Sequence, residues 1–198
     1  MKLVCLGDSL TYGYKVKLSE TWPSLVKQKL NIEVVNKGIN GDTTGGMLGR
    51  YSFDVMSESP SHVIIMGGGN DLIWGVPLSV VEANLVAMVQ QALHNQIVPI
   101  IAIPIPFSVI KTKKYWPYVS NFDVINQNIK EYREWILTFT KNFSVHVLDF
   151  YELFIDYQCN VRHDLYSDGI HPTANGNKIM SDIVVQKFIM EFGILNNI

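Results

Sequence analysis

Ser9 lies in Leu6-Gly7-Asp8-Ser9-Leu10, directly after the apolar run Leu3-Val4-Cys5-Leu6, and the chain later reads Asp168-Gly169-Ile170-His171-Pro172. A serine hydroxyl is a weak nucleophile until a base takes its proton and an acid orients that base. Asp168 and His171 stand three positions apart. In a tight turn that spacing lets the carboxylate reach one ring nitrogen while the other faces outward. Pro172 keeps His171 out of helical dihedrals and suits the first position of the helix expected to follow. These residues suggest nucleophilic acyl transfer with Ser9 attacking, His171 as base and Asp168 as orienter.

Acyl transfer also needs donors for the oxyanion that forms on the carbonyl. Asn70 sits in Gly67-Gly68-Gly69-Asn70-Asp71 after a second apolar run, and its side-chain amide is a neutral donor that cannot compete as a base. Gly41 follows Asn40, an Asn-Gly turn signal, with Asp42 or Thr43 placed to cap the next helix. The backbone N–H groups of Ser9 and Gly41 and the amide of Asn70 would form the oxyanion hole. Each such donor is worth about 2.7–4 kcal/mol of transition-state stabilisation. Taken singly, each of these residues is an ordinary turn or capping residue. The weight lies in the set. His62, His94, His146 and His163 have no comparable context and read as structural or surface residues.

Elements must hold this set together. Near-continuous apolar runs at residues 2–6, 33–36, 62–66, 98–103 and 144–148 read as parallel strands covered on both faces. Helical stripes alternate with them: Trp22, Leu25, Val26 and Leu30, then Val81, Leu85, Met88, Val89 and Leu93. Ile125, Ile129, Tyr132, Trp135, Ile136 and Phe139 form a third, and Ile179, Ile183, Val184, Phe188 and Phe192 a fourth. The alternation predicts a doubly wound α/β sheet of about five parallel strands with helices on both faces, in one domain spanning residues 1–198. Ligands of such sheets bind outside the carboxyl ends of the strands, where the Ser9, Gly41 and Asn70 loops would all emerge.

Composition narrows the partners. A 47% hydrophobic, 17% charged chain with net charge −2 is neither disordered nor basic enough for nucleic acid. No stretch reaches the roughly 18 apolar residues of a membrane span. Gly7 interrupts the N-terminal run before a signal-peptide core could form, and Cys5 and Cys159 are too few for a disulfide framework, so the expected location is the cytoplasm. No phosphate-loop lysine follows Gly7-Asp8-Ser9, and neither His-Glu-x-x-His nor paired Cys-x-x-Cys occurs. No metal or cofactor is expected.

The serine block, Asn36-Lys37-Gly38-Ile39-Asn40-Gly41-Asp42-Thr43-Thr44, Gly68-Gly69-Asn70-Asp71 and Asp168-Gly169-Ile170-His171-Pro172 together resemble the GDSL, or SGNH, hydrolase superfamily. The second block and Ser19-Glu20-Thr21-Trp22-Pro23 look most like its thioesterase-I-like, lysophospholipase-type branch. The resemblance implies a flavodoxin-like five-stranded sheet and a metal-free serine esterase. It also implies Ser9, His171 and Asp168 as the triad and Ser9, Gly41 and Asn70 as oxyanion donors.

Substrate is read from side chains near the rim. Leu72, Trp74, Phe107, Tyr115 and Trp116 are the candidate pocket residues, which suits a small-molecule acyl ester, a thioester or a lysophospholipid. Carbohydrate O-deacetylation is the enzymatic alternative, and a non-catalytic flavodoxin-like binding domain is the alternative of another class. The aromatic stretch around Tyr115-Trp116-Pro117-Tyr118 reads equally as an ordered surface loop or a contact between copies of a homo-oligomer.

Overall fold

The computed structural model describes residues 1–119 and 121–194. Five parallel strands form one sheet in the order β2-β1-β3-β4-β5. They are β1 (Lys2–Gly7), β2 (Glu33–Gly38), β3 (His62–Met66), β4 (Val98–Ile103) and β5 (His146–Asp149). The winding reverses between β1 and β3: β2 adds on one side of β1 and β3 on the other. A crevice opens at the carboxyl ends of strands that flank such a reversal. Ser9 follows β1 and Asn70 follows β3, so both project into it.

Alternation along the strands splits the core into two layers. Leu3 and Cys5 of β1 and Ile64 and Met66 of β3 face one side, packing on Trp22 and Val26 of α2 (Trp22–Leu30), Phe150 of α8 (Phe150–Leu153) and Val184 and Phe188 of α9 (Ala174–Phe192). Val4, Leu6, Val63 and Ile65 face the other, against Met47 and Tyr51 of α3 (Thr44–Asp54), Leu85 and Met88 of α5 (Leu78–His94) and Tyr132 and Ile136 of α7 (Phe122–Phe143). Both faces of β1 and β3 are buried, which is why those strands read as unbroken apolar runs. Trp22 has no solvent exposure, and its truncation to alanine should cost about 3–5 kcal/mol. Among the described residues no helix is long and apolar enough to cross a membrane.

Three local expectations need correction. The fifth strand begins at His146 rather than Ser144, because Ser144 closes α7 in the left-handed region (φ 54°). Pro172 is not the first residue of the last helix. It pairs with Tyr166 in an isolated bridge, and Thr173 caps α9 through its hydroxyl to the Gly176 N–H. Helix α3 has no counterpart among the four apolar stripes. It starts at a Thr43 cap, which decides between the two candidate caps.

Candidate active site

Ser9 opens the short helix α1 (Ser9–Tyr12), whose N-cap is Asp8: the carboxylate accepts the Leu10 N–H at 2.8 Å. The cap fixes the turn between β1 and α1 and lifts the Ser9 hydroxyl to the crevice, where the residue is 7% exposed. Its Oγ lies 3.0 Å from His171 Nε2. His171 Nδ1 lies 2.9 Å from Asp168 Oδ2 and 3.1 Å from Oδ1. Residues 162 positions apart are thus in hydrogen-bond contact.

Asp168 is held by its own turn. Oδ1 accepts the backbone N–H groups of Ile170 (3.0 Å) and His171 (2.9 Å), and Oδ2 also meets Lys15 Nζ at 2.8 Å. Burial works against the ionised carboxylate, but hydrogen bonds from His171 and Lys15 outweigh it and keep the group well below the usual carboxylate range. An ionised carboxylate only accepts, so in the neutral ring Nδ1 carries the proton and Nε2 is free to receive that of Ser9. Gly169 makes the turn at φ 97°, and a Cβ there would lie 2.6 Å from the Thr112 backbone nitrogen. Around the imidazole stand Tyr14, with ring centroids 4.6 Å apart, and Trp116 at 6.1 Å.

The oxyanion candidates emerge from the next two strands. Gly41 adopts φ 77° in the turn after β2. Asn70 is the second residue of α4 (Gly69–Ile73), and its Nδ2 donates to the Asp42 carbonyl at 2.8 Å. An amide carries two N–H bonds, and the other contact of Nδ2 is a long one of 3.4 Å to Asp8 Oδ2, which a ligand oxygen can replace. Sequence patterns do not flag the braces that tie these loops. Arg50 reaches the Gly7 carbonyl (2.9 Å), the Lys37 carbonyl (2.9 Å) and the carboxylates of Asp42 (2.7 Å) and Asp54 (2.6 Å). The buried Asp71 accepts the Thr44 N–H at 2.9 Å and its hydroxyl at 2.6 Å, joining α4 to the start of α3. Asn36 donates to the Thr11 carbonyl at 2.8 Å.

Ser9, Gly41, Asn70 and His171 line one cavity of about 570 Å³, together with Asn40. Its remaining walls are Tyr14, Ile73, Trp74, Trp116, Tyr118, Val119 and Ile170. Of the five expected pocket residues, Trp74 and Trp116 line it. Leu72 and Phe107 instead point beneath it, into a buried cluster with Phe122, Ile125, Ile129 and Ile170, so they support the floor rather than meet a ligand. Tyr115 closes α6 (Val109–Tyr115), with the Lys15 ammonium 5.8 Å from its ring. Tyr14 is a wall residue that sequence reasoning misses. It follows Ser9 by five positions, and nothing in its own neighbourhood marks it.

Known proteins resemble this chain over most of its length. A model of the GDSL-like lipase/acylhydrolase family matches residues 5–179. A solved structure from Desulfitobacterium hafniense, described as a putative lipolytic protein of the G-D-S-L family, is 33% identical with a TM-score of 0.81. That match covers 93% of this chain and 98% of the other. The arylesterase of Vibrio mimicus is 27% identical over 95% of this chain and 88% of its own length. Thioesterase 1/protease 1/lysophospholipase L1 of Escherichia coli is 28% identical over 91% of this chain and 79% of its own.

Proposed function

For a chain that belongs to the GDSL-like lipase/acylhydrolase family, we propose a serine esterase that cleaves carboxylic esters or thioesters through an acyl-enzyme. The observation that carries the reading is the unbroken relay from Ser9 Oγ to His171 Nε2 (3.0 Å) and from His171 Nδ1 to Asp168 (2.9 Å). His171 takes the Ser9 proton as Oγ attacks the carbonyl carbon. The ring then delivers that proton to the departing alcohol or thiol as the carbon–oxygen or carbon–sulfur bond breaks. Water next loses a proton to His171 and attacks the acyl carbon, and the proton returns to Ser9 Oγ. The N–H groups of Ser9 and Gly41 and the Asn70 amide receive the negative charge of each tetrahedral species.

The cavity favours an apolar acyl or aryl group, since four of its walls are the aromatic rings of Tyr14, Trp74, Trp116 and Tyr118. The names of the two relatives, an arylesterase and a thioesterase/lysophospholipase, fit that chemistry. Two measurements test the reading. Ser9→Ala should abolish both turnover and covalent labelling by an organophosphonate, and labelling that persists would identify another nucleophile. A chain-length series of p-nitrophenyl esters, run beside an acetylated sugar, should favour the acyl esters. Faster deacetylation of the sugar would replace this substrate class with the carbohydrate one.

A further inference from the structure

We propose that Lys15 is a positioning residue for this reaction: its ammonium shares the Asp168 carboxylate with His171 and thereby sets how readily the ring takes a proton. The inference rests on the Ser9–His171–Asp168 reading above. Oδ2 of Asp168 is the shared atom, 2.8 Å from Lys15 Nζ and 2.9 Å from His171 Nδ1. The Asp168 side chain has no solvent exposure. The carboxylate does not need Lys15 to hold its place, because Oδ1 already accepts two N–H groups of its own turn. What the ammonium adds is charge.

The backbone and the neighbouring rings hold this lysine in place. Lys15 sits in the left-handed region (φ 68°) in the loop between α1 and α2, where glycine would be relaxed. Its ammonium lies 5.7 Å from the Tyr14 ring centroid and 5.8 Å from that of Tyr115, which brackets it between the serine loop and α6. Tyr14 is also the ring against His171, so the residue that carries the cation adjoins the one that packs on the base.

The electrostatic consequence has a definite sign. A bare carboxylate on Nδ1 stabilises the imidazolium and draws protons to the ring even at rest. An ammonium on the same oxygen offsets part of that field, and removing it would leave the carboxylate's full charge on the ring. The other groups that face the ring do not supply this charge. Ser9 from α1, Tyr14 from the following loop and Trp116 after α6 are uncharged. The Asp8 carboxylate turns to the Leu10 N–H and the Asn70 amide. Lys114 lies over the Tyr115 ring, and Lys111 is bound to the Tyr166 carbonyl. Among the described residues, Asp168 is the group in ion-pair contact with His171.

The test is the pH profile of kcat/KM for a p-nitrophenyl ester with the wild-type chain, Lys15→Met, Lys15→Gly and Lys15→Arg, beside Ser9→Ala. The Met variant keeps the stem, and the Gly variant removes the charge while relaxing the backbone. Both should move the acid limb up by about 0.5–1 pH unit, giving a loss of about 3–10-fold on the acid side of that limb and none on the plateau above it. The Arg variant keeps the cation and should retain the wild-type limb. A titration of the His171 ring by NMR should shift in the same direction. A loss that is uniform across pH, an unmoved limb, or failure of both neutral variants to fold would make Lys15 a structural pin and overturn the proposal. Turnover surviving in Ser9→Ala would instead overturn the triad reading on which it rests.

Discussion

Two sides of one cavity are built in different ways. Over β1, β2 and β3, polar side chains tie loop to loop: Arg50 joins the ends of β1 and β2 to Asp42, Asp71 joins α4 to α3, and Asn36 holds Thr11. Beyond β4, among the described residues, the strap that carries α6 is tied by polar bonds near its root and by Lys111 to the Tyr166 carbonyl. Asn126 brackets the Phe107 backbone, Ser108 Oγ meets His163, and the Ser108 N–H donates to the Gly169 carbonyl. From Trp116 to Val119 the strap holds itself by backbone bonds and presents aromatic surface. The contrast fits two tasks. Proton transfer and oxyanion binding fail when groups move by an ångström, whereas an acyl group needs only a shaped apolar enclosure.

The comparison can be broken from the braced side. Arg50→Met removes the guanidinium from Asp42 and Asp54, whose side chains are only 12% and 13% exposed, and leaves Asp42 without its cation while Asp54 keeps Lys37 at 3.5 Å. The expected loss of stability is about 3–5 kcal/mol in a urea titration, with a fall in kcat because Gly41 loses its anchor. An Arg50→Met protein with wild-type stability and rate would show that the loops hold without the brace. Asn70→Ala should lower kcat by about 10²–10³-fold with KM nearly unchanged, because the lost donor acts on the transition state. A rise in KM alone would reassign Asn70 to ground-state binding.

The strap side should respond more mildly and in the other parameter. Trp116→Ala is expected to raise KM for longer acyl esters by about 10-fold while kcat holds. A fall in kcat of the same size would show that Trp116, close to the His171 ring, positions the base instead.

A further effect concerns stability beside the nucleophile. Burial pushes the Asp8 carboxyl up to about 7, so the folded chain keeps a proton that the unfolded chain releases near pH 4. The stability this group contributes is therefore complete below about pH 4 and is lost as pH rises to about 7. The side-chain amide of an Asp8→Asn variant stays neutral throughout, and its oxygen can still accept from the Leu10 N–H. Between pH 5 and 8 the wild type should lose about 2–3 kcal/mol relative to that variant, read from urea midpoints. Parallel pH curves would mean that Asp8 is ionised throughout.

The same contrast explains what can be read before any coordinates. Central strands β3 and β4 match the apolar runs residue for residue, because burial on both faces leaves no polar interruption. Ser9, Asp168 and His171 can be singled out because their side-chain types and the three-residue spacing of the last two suit one chemistry, and the fold brings them into hydrogen-bond contact. Helix α3 is hidden by Gly45, Gly46 and Gly49, which depress helix propensity, and its position is set instead by the Thr43 cap and the Asp71 staple. Phe107 and Leu72 are misplaced because composition shows that a segment is aromatic or apolar, not which way its side chains turn. Lys15 is invisible for a related reason: its partner is Asp168, and no local pattern links residues so distant in sequence.

The seam between Gly169 and the first turn of α6 sets where this scaffold tolerates redesign. With the Ser108 N–H bonded to the Gly169 carbonyl and no room for a Cβ beside Thr112, exchanging the root of the strap would drag the Asp168 turn with it. Among the described residues, 116–119 are joined to the site by side-chain packing rather than by a hydrogen bond to the Asp168 turn. A graft confined to that stretch, borrowed from a relative with different acyl preference, should retune selectivity while leaving the proton relay intact.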